Sequence, residues 1–180
     1  MASNKKKKKK TENTNLSYPL RVACIDMGSN AIRFVAAEFS STNEWRTLAA
    51  ERSPVRLGHS VFLSGVLDDH AMNEAVQALA RFTEQMSELG VEHCRAVATS
   101  AVRESKNGSQ FVERIADETG LRVDVISGSE EARLVHSAVT NLVPLGSRKW
   151  LLVDLGGGSV DGRPALRLGY VPDDDRGHRR

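Results

Sequence analysis

Two glycine turns, each following a β-like run that ends on a carboxylate, do most to constrain this chain. The first is Asp26-Met27-Gly28-Ser29-Asn30; the second, about 130 residues later, is Asp154-Leu155-Gly156-Gly157-Gly158-Ser159. Each sets a carboxylate able to orient a metal or a water beside a turn whose bare backbone can approach phosphate oxygens. Two such turns facing each other would grip a phosphate chain from both sides. The pattern therefore points to polyphosphate or nucleotide chemistry within one chain.

At 180 residues and 40% hydrophobic content the chain can bury one sizeable core. No apolar run approaches the ~18 residues that a bilayer span requires, and the basic N-terminus has no apolar stretch behind it, unlike a secretory signal. Cys24 and Cys94 are the only cysteines. Without metal-ligand partners or a secretory context they read as reduced, buried thiols of a cytoplasmic protein.

The net charge of +2 belongs to a tail. Lys5 to Lys10 supply six of the 25 basic residues; the remaining 19 face 23 acidic ones, a balance of −4. Residues 1–17 are polar and low in complexity, so they read as a disordered, solvated segment. Its lysine run can touch anions non-specifically; no other feature points to nucleic acid, and none to a membrane.

Leu20 to Asp26 reads as a strand, and Ala31 to Phe39 as its hairpin partner across the Gly28-Ser29-Asn30 turn. Trp45 to Leu57 gives a third extended stretch, interrupted by Pro54. From Asp68 the period becomes helical: Met72, Ala75, Val76, Leu79, Phe82, Met86 and Leu89 share one face, with Asp68 or Asp69 as cap and Gly90 as stop. Cys94 to Thr99 is a strand, Gln110 to Thr119 a helix closed by Gly120, and Leu121 to Ile126 a strand. Ser127-Gly128-Ser129-Glu130-Glu131 opens a helix running to about Leu142, and Trp150 to Asp154 is a last strand. The order is α/β with a hairpin at the front, which predicts a mixed sheet with flanking helices.

Residues 162–180 break this pattern. Five arginines, two prolines and three consecutive aspartates fall in 19 residues with neither period. Nothing there continues the strand pairing that the second glycine turn should start. The segment reads as unrelated to residues 18–161, as a frameshifted or truncated end would be.

Four segments together resemble the Ppx/GppA family, the exopolyphosphatases and guanosine pentaphosphate phosphohydrolases. They are Ile25-Asp26-Met27-Gly28-Ser29-Asn30; Ala98-Thr99-Ser100-Ala101-Val102-Arg103 with Asn107-Gly108; Ile126-Ser127-Gly128-Ser129-Glu130-Glu131-Ala132-Arg133-Leu134; and Val153-Asp154-Leu155-Gly156-Gly157-Gly158-Ser159. Asp-x-Gly-Ser alone recurs across actin-like ATPases; the Ser-Gly-x-Glu-Glu-Ala-Arg segment is the discriminating one. The resemblance covers residues 20–161. It implies the first lobe of a two-lobed actin-like (ribonuclease H-like) fold with its site in the cleft, and it allows a homodimer in a full-length protein. The second glycine turn departs from the family pattern, with Val160 and Asp161 where a threonine and a glutamate are usual.

By this resemblance Glu131 is the general base that orients or deprotonates water, with Glu130 as fallback. Asp154 and Asp161 would hold Mg²⁺, whose preference for hard oxygen suits carboxylate plus phosphate. Asp26, Gly28, Ser29, Asn30, Gly156, Gly157, Gly158 and Ser159 would line the phosphates, and Arg103 would pair with a phosphate oxygen. His59, His93, His136 and His178 show no ligand spacing. The implied reaction is metal-assisted release of terminal phosphate from inorganic polyphosphate or guanosine pentaphosphate, impaired here for want of the second lobe. The alternative is a phosphate-binding remnant of the same family that turns nothing over.

Overall fold

The computed structural model describes residues 17–143 in full, and the strands at 151–160 and 163–170 by their backbone course. Its centre is a five-stranded sheet. Three antiparallel strands open the chain: β1 (Leu20–Met27), β2 (Ile32–Phe39) and β3 (Trp45–Ser53). The chain then continues through α1 (Leu57–Ser64), the long α2 (Asp69–Glu88), β4 (His93–Ala98), α3 (Ser100–Glu104), α4 (Gly108–Thr119), β5 (Val123–Val125) and α5 (Gly128–Leu142). Strands β4 and β5 add to β1 in parallel, giving the order β3-β2-β1-β4-β5. This is the mixed sheet with flanking helices that the sequence predicts.

Alternation decides which face is buried. Ala23, Ile25 and Met27 of β1 and Ile32, Phe34 and Ala36 of β2 point to one side and are buried there. The apolar stripe of α2 meets them, with Ala75, Leu79 and Phe82 fully enclosed and Phe34 stacked on Phe82 at 5.0 Å. Phe111 and Ile115 of α4 complete the same core. Full burial of each large side chain contributes about 1.5–3 kcal/mol relative to exposure. The long helix begins where Asp68 accepts from the Ala71 N–H at 2.8 Å, and it ends ahead of Gly90 in the left-handed region (φ 64°).

The structure corrects the sequence reading in four places. Cys24 and Cys94 are both exposed, not buried. Cys24 lies on the sheet face away from α2, and Cys94 sits at the start of β4, below the packed part of the core. The third extended stretch ends at Ser53, and Leu57 begins α1 instead. That helix has no side-chain cap and carries Gly58 near its start, so neither propensity nor period announces it. Helix α4 starts at Gly108, two residues before Gln110, with Asn107 at its N-cap position but giving no side-chain cap. Lastly, β6 (Leu151–Val160) runs through the second glycine turn and pairs antiparallel with β7 (Arg163–Tyr170), in a separate two-stranded sheet beside α1. Residues 163–170, read as patternless, thus form a strand. The pairing slips between Leu155 and Ser159, where the glycines lie.

Candidate active site

Strands β1, β4 and β5 are parallel, so their C-terminal ends share one edge of the sheet. In open α/β sheets that edge is where ligands bind. Three connections meet there: the β1–β2 turn at Gly28-Ser29-Asn30, the Thr99-Ser100 entry into α3, and the Ser127-Gly128 entry into α5.

The β1–β2 turn is held from several directions. Gly28 N–H donates to the Ala31 carbonyl at 3.1 Å, closing the turn on itself. The Ser29 carbonyl accepts from Gly58 N–H of α1 at 2.8 Å. Thr99 N–H and hydroxyl both reach the Met27 carbonyl, at 3.2 and 3.4 Å. Ser29, expected to offer its hydroxyl to phosphate, is only 5% exposed and has its Oγ 2.9 Å from Ser100 Oγ. Asn30 at the tip is exposed. Asp26, one residue before the turn's neighbour Met27, lies 3.6 Å from Arg33 of β2.

Glu131 enters from α5. Ser127 caps that helix, its hydroxyl accepting from Glu130 N–H at 3.2 Å, and this places both glutamates in the first turn. The two then part company. Glu130 is gripped by Arg133 one turn on, at 2.7 and 2.8 Å, and lies 3.6 Å from Arg95 of β4. The Arg133 guanidinium, helped by Arg95, holds the Glu130 carboxyl below the usual range. Glu131 turns the other way, four-fifths buried, with Oε2 3.5 Å from Arg103 Nη1. Arg103 also donates to the Ile126 carbonyl at 2.9 Å and contacts Glu104 at 3.2 Å. These contacts make it a brace between α3 and the start of α5.

The structure thus brings together Gly28, Ser29, Asn30, Arg103 and Glu131, with Asp26 at the end of β1. Asp161 lies outside the described residues, as do the side chains of Asp154 and Ser159; of Gly156, Gly157 and Gly158 only the strand course is described. Three residues of the site went unread in the sequence: Gly58, Ser100 and Arg95. Gly58 sits in an unannounced helix, and Ser100 and Arg95 acquire roles only through contacts distant in sequence.

Residues 35–162 match the model of the Ppx/GppA phosphatase family. A guanosine-5'-triphosphate,3'-diphosphate pyrophosphatase of Photobacterium profundum is 34% identical over 140 residues, which are 77% of this chain and 28% of that protein. The crystal structure of the Aquifex aeolicus Ppx/GppA family member superposes with a TM-score of 0.71 at 29% identity, over 86% of this chain and 51% of that one. An exopolyphosphatase structure from Cytophaga hutchinsonii gives 0.74 at 30% identity, over 84% and 50%. The chain spans about half the length of these structures. With this family match over most of its length, the protein belongs to the Ppx/GppA phosphatase family.

Proposed function

We propose that the chain carries the base-bearing half of a phosphoanhydride hydrolase that releases terminal phosphate from inorganic polyphosphate or guanosine pentaphosphate. The observation that carries this reading is the convergence of the Gly28-Ser29-Asn30 turn with the braced Glu131 at one sheet edge. Water attack on a phosphoanhydride needs little covalent chemistry from the protein; it needs an aimed water and a held phosphate. Glu131 accepts the water's proton or fixes its lone pairs in line. Arg103 keeps the Glu131 carboxylate at the head of α5. The turn presents the Ser29 and Asn30 backbone to phosphate oxygens, and Gly156, Gly157, Gly158 and Ser159 form the opposing cradle.

In this proposal Asp154 and Asp161 hold Mg²⁺. Two carboxylates beside phosphate oxygens are the hard donor set that ion prefers, and bound there it would offset charge on the phosphoryl oxygens. Among the described residues no group of three or more His, Cys, Asp or Glu is placed to hold a metal, so the assignment rests on those two. Among the same residues no helix is long and apolar enough to cross a membrane. A cytoplasmic location and a homodimer of a full-length protein belong to the proposal as well.

The relatives' own activities favour both substrates, the guanosine nucleotide in one case and polyphosphate in the other. Because the chain spans about half of the solved relatives, a second reading is that it binds phosphate chains without turning them over. One experiment separates these. Phosphate release from polyphosphate and from guanosine pentaphosphate is followed with Mg²⁺ on the full chain and on Glu131→Gln, beside calorimetric binding of each substrate. Release that disappears in E131Q supports the hydrolase. Binding without release supports the second reading, and neither binding nor release refutes both. Turnover within about tenfold of a complete family member would overturn the impairment, since cleft closure supplies much of the rate in such chemistry.

A further inference from the structure

Ser29 is where the geometry departs most from a simple phosphate turn. A hydroxyl has one proton to donate and two lone pairs. At 5% exposure and 2.9 Å from Ser100 Oγ, that of Ser29 has its partner inside the fold, with either hydroxyl able to be the donor. Its carbonyl is committed too, to Gly58 N–H at 2.8 Å. A Cβ added at Gly58 would stand 2.7 Å from Ser29 Cβ and 2.6 Å from the Phe62 ring. Ser29 Cβ is one bond from the backbone, so the turn itself would have to move. On its other side Ser100 opens α3, and Arg103 in the same short helix reaches the Ile126 carbonyl and Glu131. A continuous path therefore runs from Gly58 through Ser29 and Ser100 to Arg103 and Glu131.

We propose that Gly58 and Ser100 are positioning residues, which act through Ser29 to hold the Gly28-Ser29-Asn30 turn at a fixed offset from Glu131. Ser29 is then the strut of the turn and not a phosphate ligand through its hydroxyl. This rests on the phosphate-binding reading of the turn, which the backbone of Ser29 and Asn30 would serve.

The test uses the full chain and inorganic tripolyphosphate as probe. Ser29→Ala, Ser100→Ala and the double variant are compared by calorimetry, with Ser100→Thr as the conservative replacement. Each single change is expected to weaken binding about tenfold, the scale of a small misplacement. The double variant should lose no more than either single one, and S100T should bind like the parent. A loss in S29A with S100A at parental affinity, or additive losses in the double variant, would overturn the proposal by making Ser29 a direct ligand. Amide hydrogen exchange gives a second readout that does not depend on substrate. S100A and G58A should speed exchange at the Gly28 amide, which donates to the Ala31 carbonyl, about tenfold while Phe111 in α4 stays unchanged; an unaltered Gly28 amide would overturn the proposal. Where G58A does not fold, S100A carries this arm. If the parent chain binds no tripolyphosphate, the phosphatase reading fails, and the exchange result alone decides the positioning claim.

Discussion

Arg103 Nη1 stands 3.5 Å from Glu131 Oε2 and donates to the Ile126 carbonyl at 2.9 Å. One guanidinium thus joins α3, the end of β5 and the first turn of α5. Its planar fork reaches several acceptors at once, which an ammonium cannot do. Arg103→Lys should therefore recover only part of what Arg103→Ala loses. With the phosphatase reading in force, R103A is expected to lower kcat at least tenfold with a smaller change in KM, because a displaced base harms the chemical step more than binding. Steady-state phosphate release on both variants checks this. A rise in KM at unchanged kcat would return Arg103 to the role of phosphate ligand.

Glu130 and Glu131 are adjacent in sequence and face different arginines. Glu130 faces Arg133 and Arg95, whereas Glu131 faces Arg103. Glu131→Gln should reduce turnover about 10²- to 10⁴-fold, the usual share of a general base. Glu130→Gln should leave turnover within about threefold, since its carboxylate is already engaged on the helix surface and exposed ion pairs contribute little. Equal losses in the two variants would refute this division of roles.

Asp68 caps α2 through the Ala71 N–H. That hydrogen bond, joined by the Ser60 hydroxyl, holds the Asp68 carboxyl below its ordinary range. A carboxyl with a depressed folded-state pKa adds stability above its unfolded pKa of about 4, and that stability is lost as pH falls through the folded value. Asp68→Ala should cost about 1 kcal/mol at pH 7, and the gap to the parent should narrow at pH 3. Asp68→Asn, which keeps the acceptor, should fall between the two at pH 7. Urea titrations at both pH values provide the measurement; a gap that does not narrow in acid would refute the charge-linked part.

Cys24 and Cys94 are exposed but poorly suited to ionise. Partial desolvation by the surrounding sheet surface pushes both thiols up, Cys94 to about 11. Asp26 raises Cys24 further, and Arg95 offsets part of this. At pH 8 the folded chain should react with a disulfide reagent at least about tenfold more slowly than the urea-unfolded chain, whose thiols ionise near 8.5. Equal rates would show that neither strand shields its thiolate. Stability should also fall as pH rises through the folded-state values, because the unfolded chain releases those protons first.

Much of this fold was legible because its strongest signals are local. The α2 stripe from Met72 to Leu89, the Asp68 cap and the β1–β2 turn each lie within one stretch of sequence, and all three appear as expected. The four-segment resemblance singled out Glu131 and the β1–β2 turn in the same way. What escaped depends on distant partners. Ser100 matters because Ser29 is folded against it from 71 positions away. The contacts of Arg103 with Ile126 and Glu131 likewise join residues more than 20 positions apart. The cysteines looked buried because strand-like neighbours flank them, yet which strand face is covered is a tertiary property.

Asn107, just ahead of α4, is a clamp. Its Oδ1 accepts from Leu67 N–H at 2.8 Å, and its Nδ2 donates to the Leu67 carbonyl at 2.9 Å. The amide thus copies a backbone edge and ties the segment before α2 to the α3–α4 junction. Gly108 beside it has no room for a side chain, as a Cβ there would run into the Val102 carbonyl. Removing the amide leaves two part-buried backbone groups unpaired, each costing about 1 kcal/mol or more. Asn107→Ala should therefore destabilise the chain by about 2 kcal/mol. Asn107→Asp keeps the acceptor but, when ionised, sets a carboxylate oxygen against the Leu67 carbonyl, so at neutral pH it should cost at least as much as Asn107→Ala. Chemical denaturation of the three proteins tests the order. If N107D proves clearly less costly than N107A, the contact to the Leu67 carbonyl is not part of the clamp.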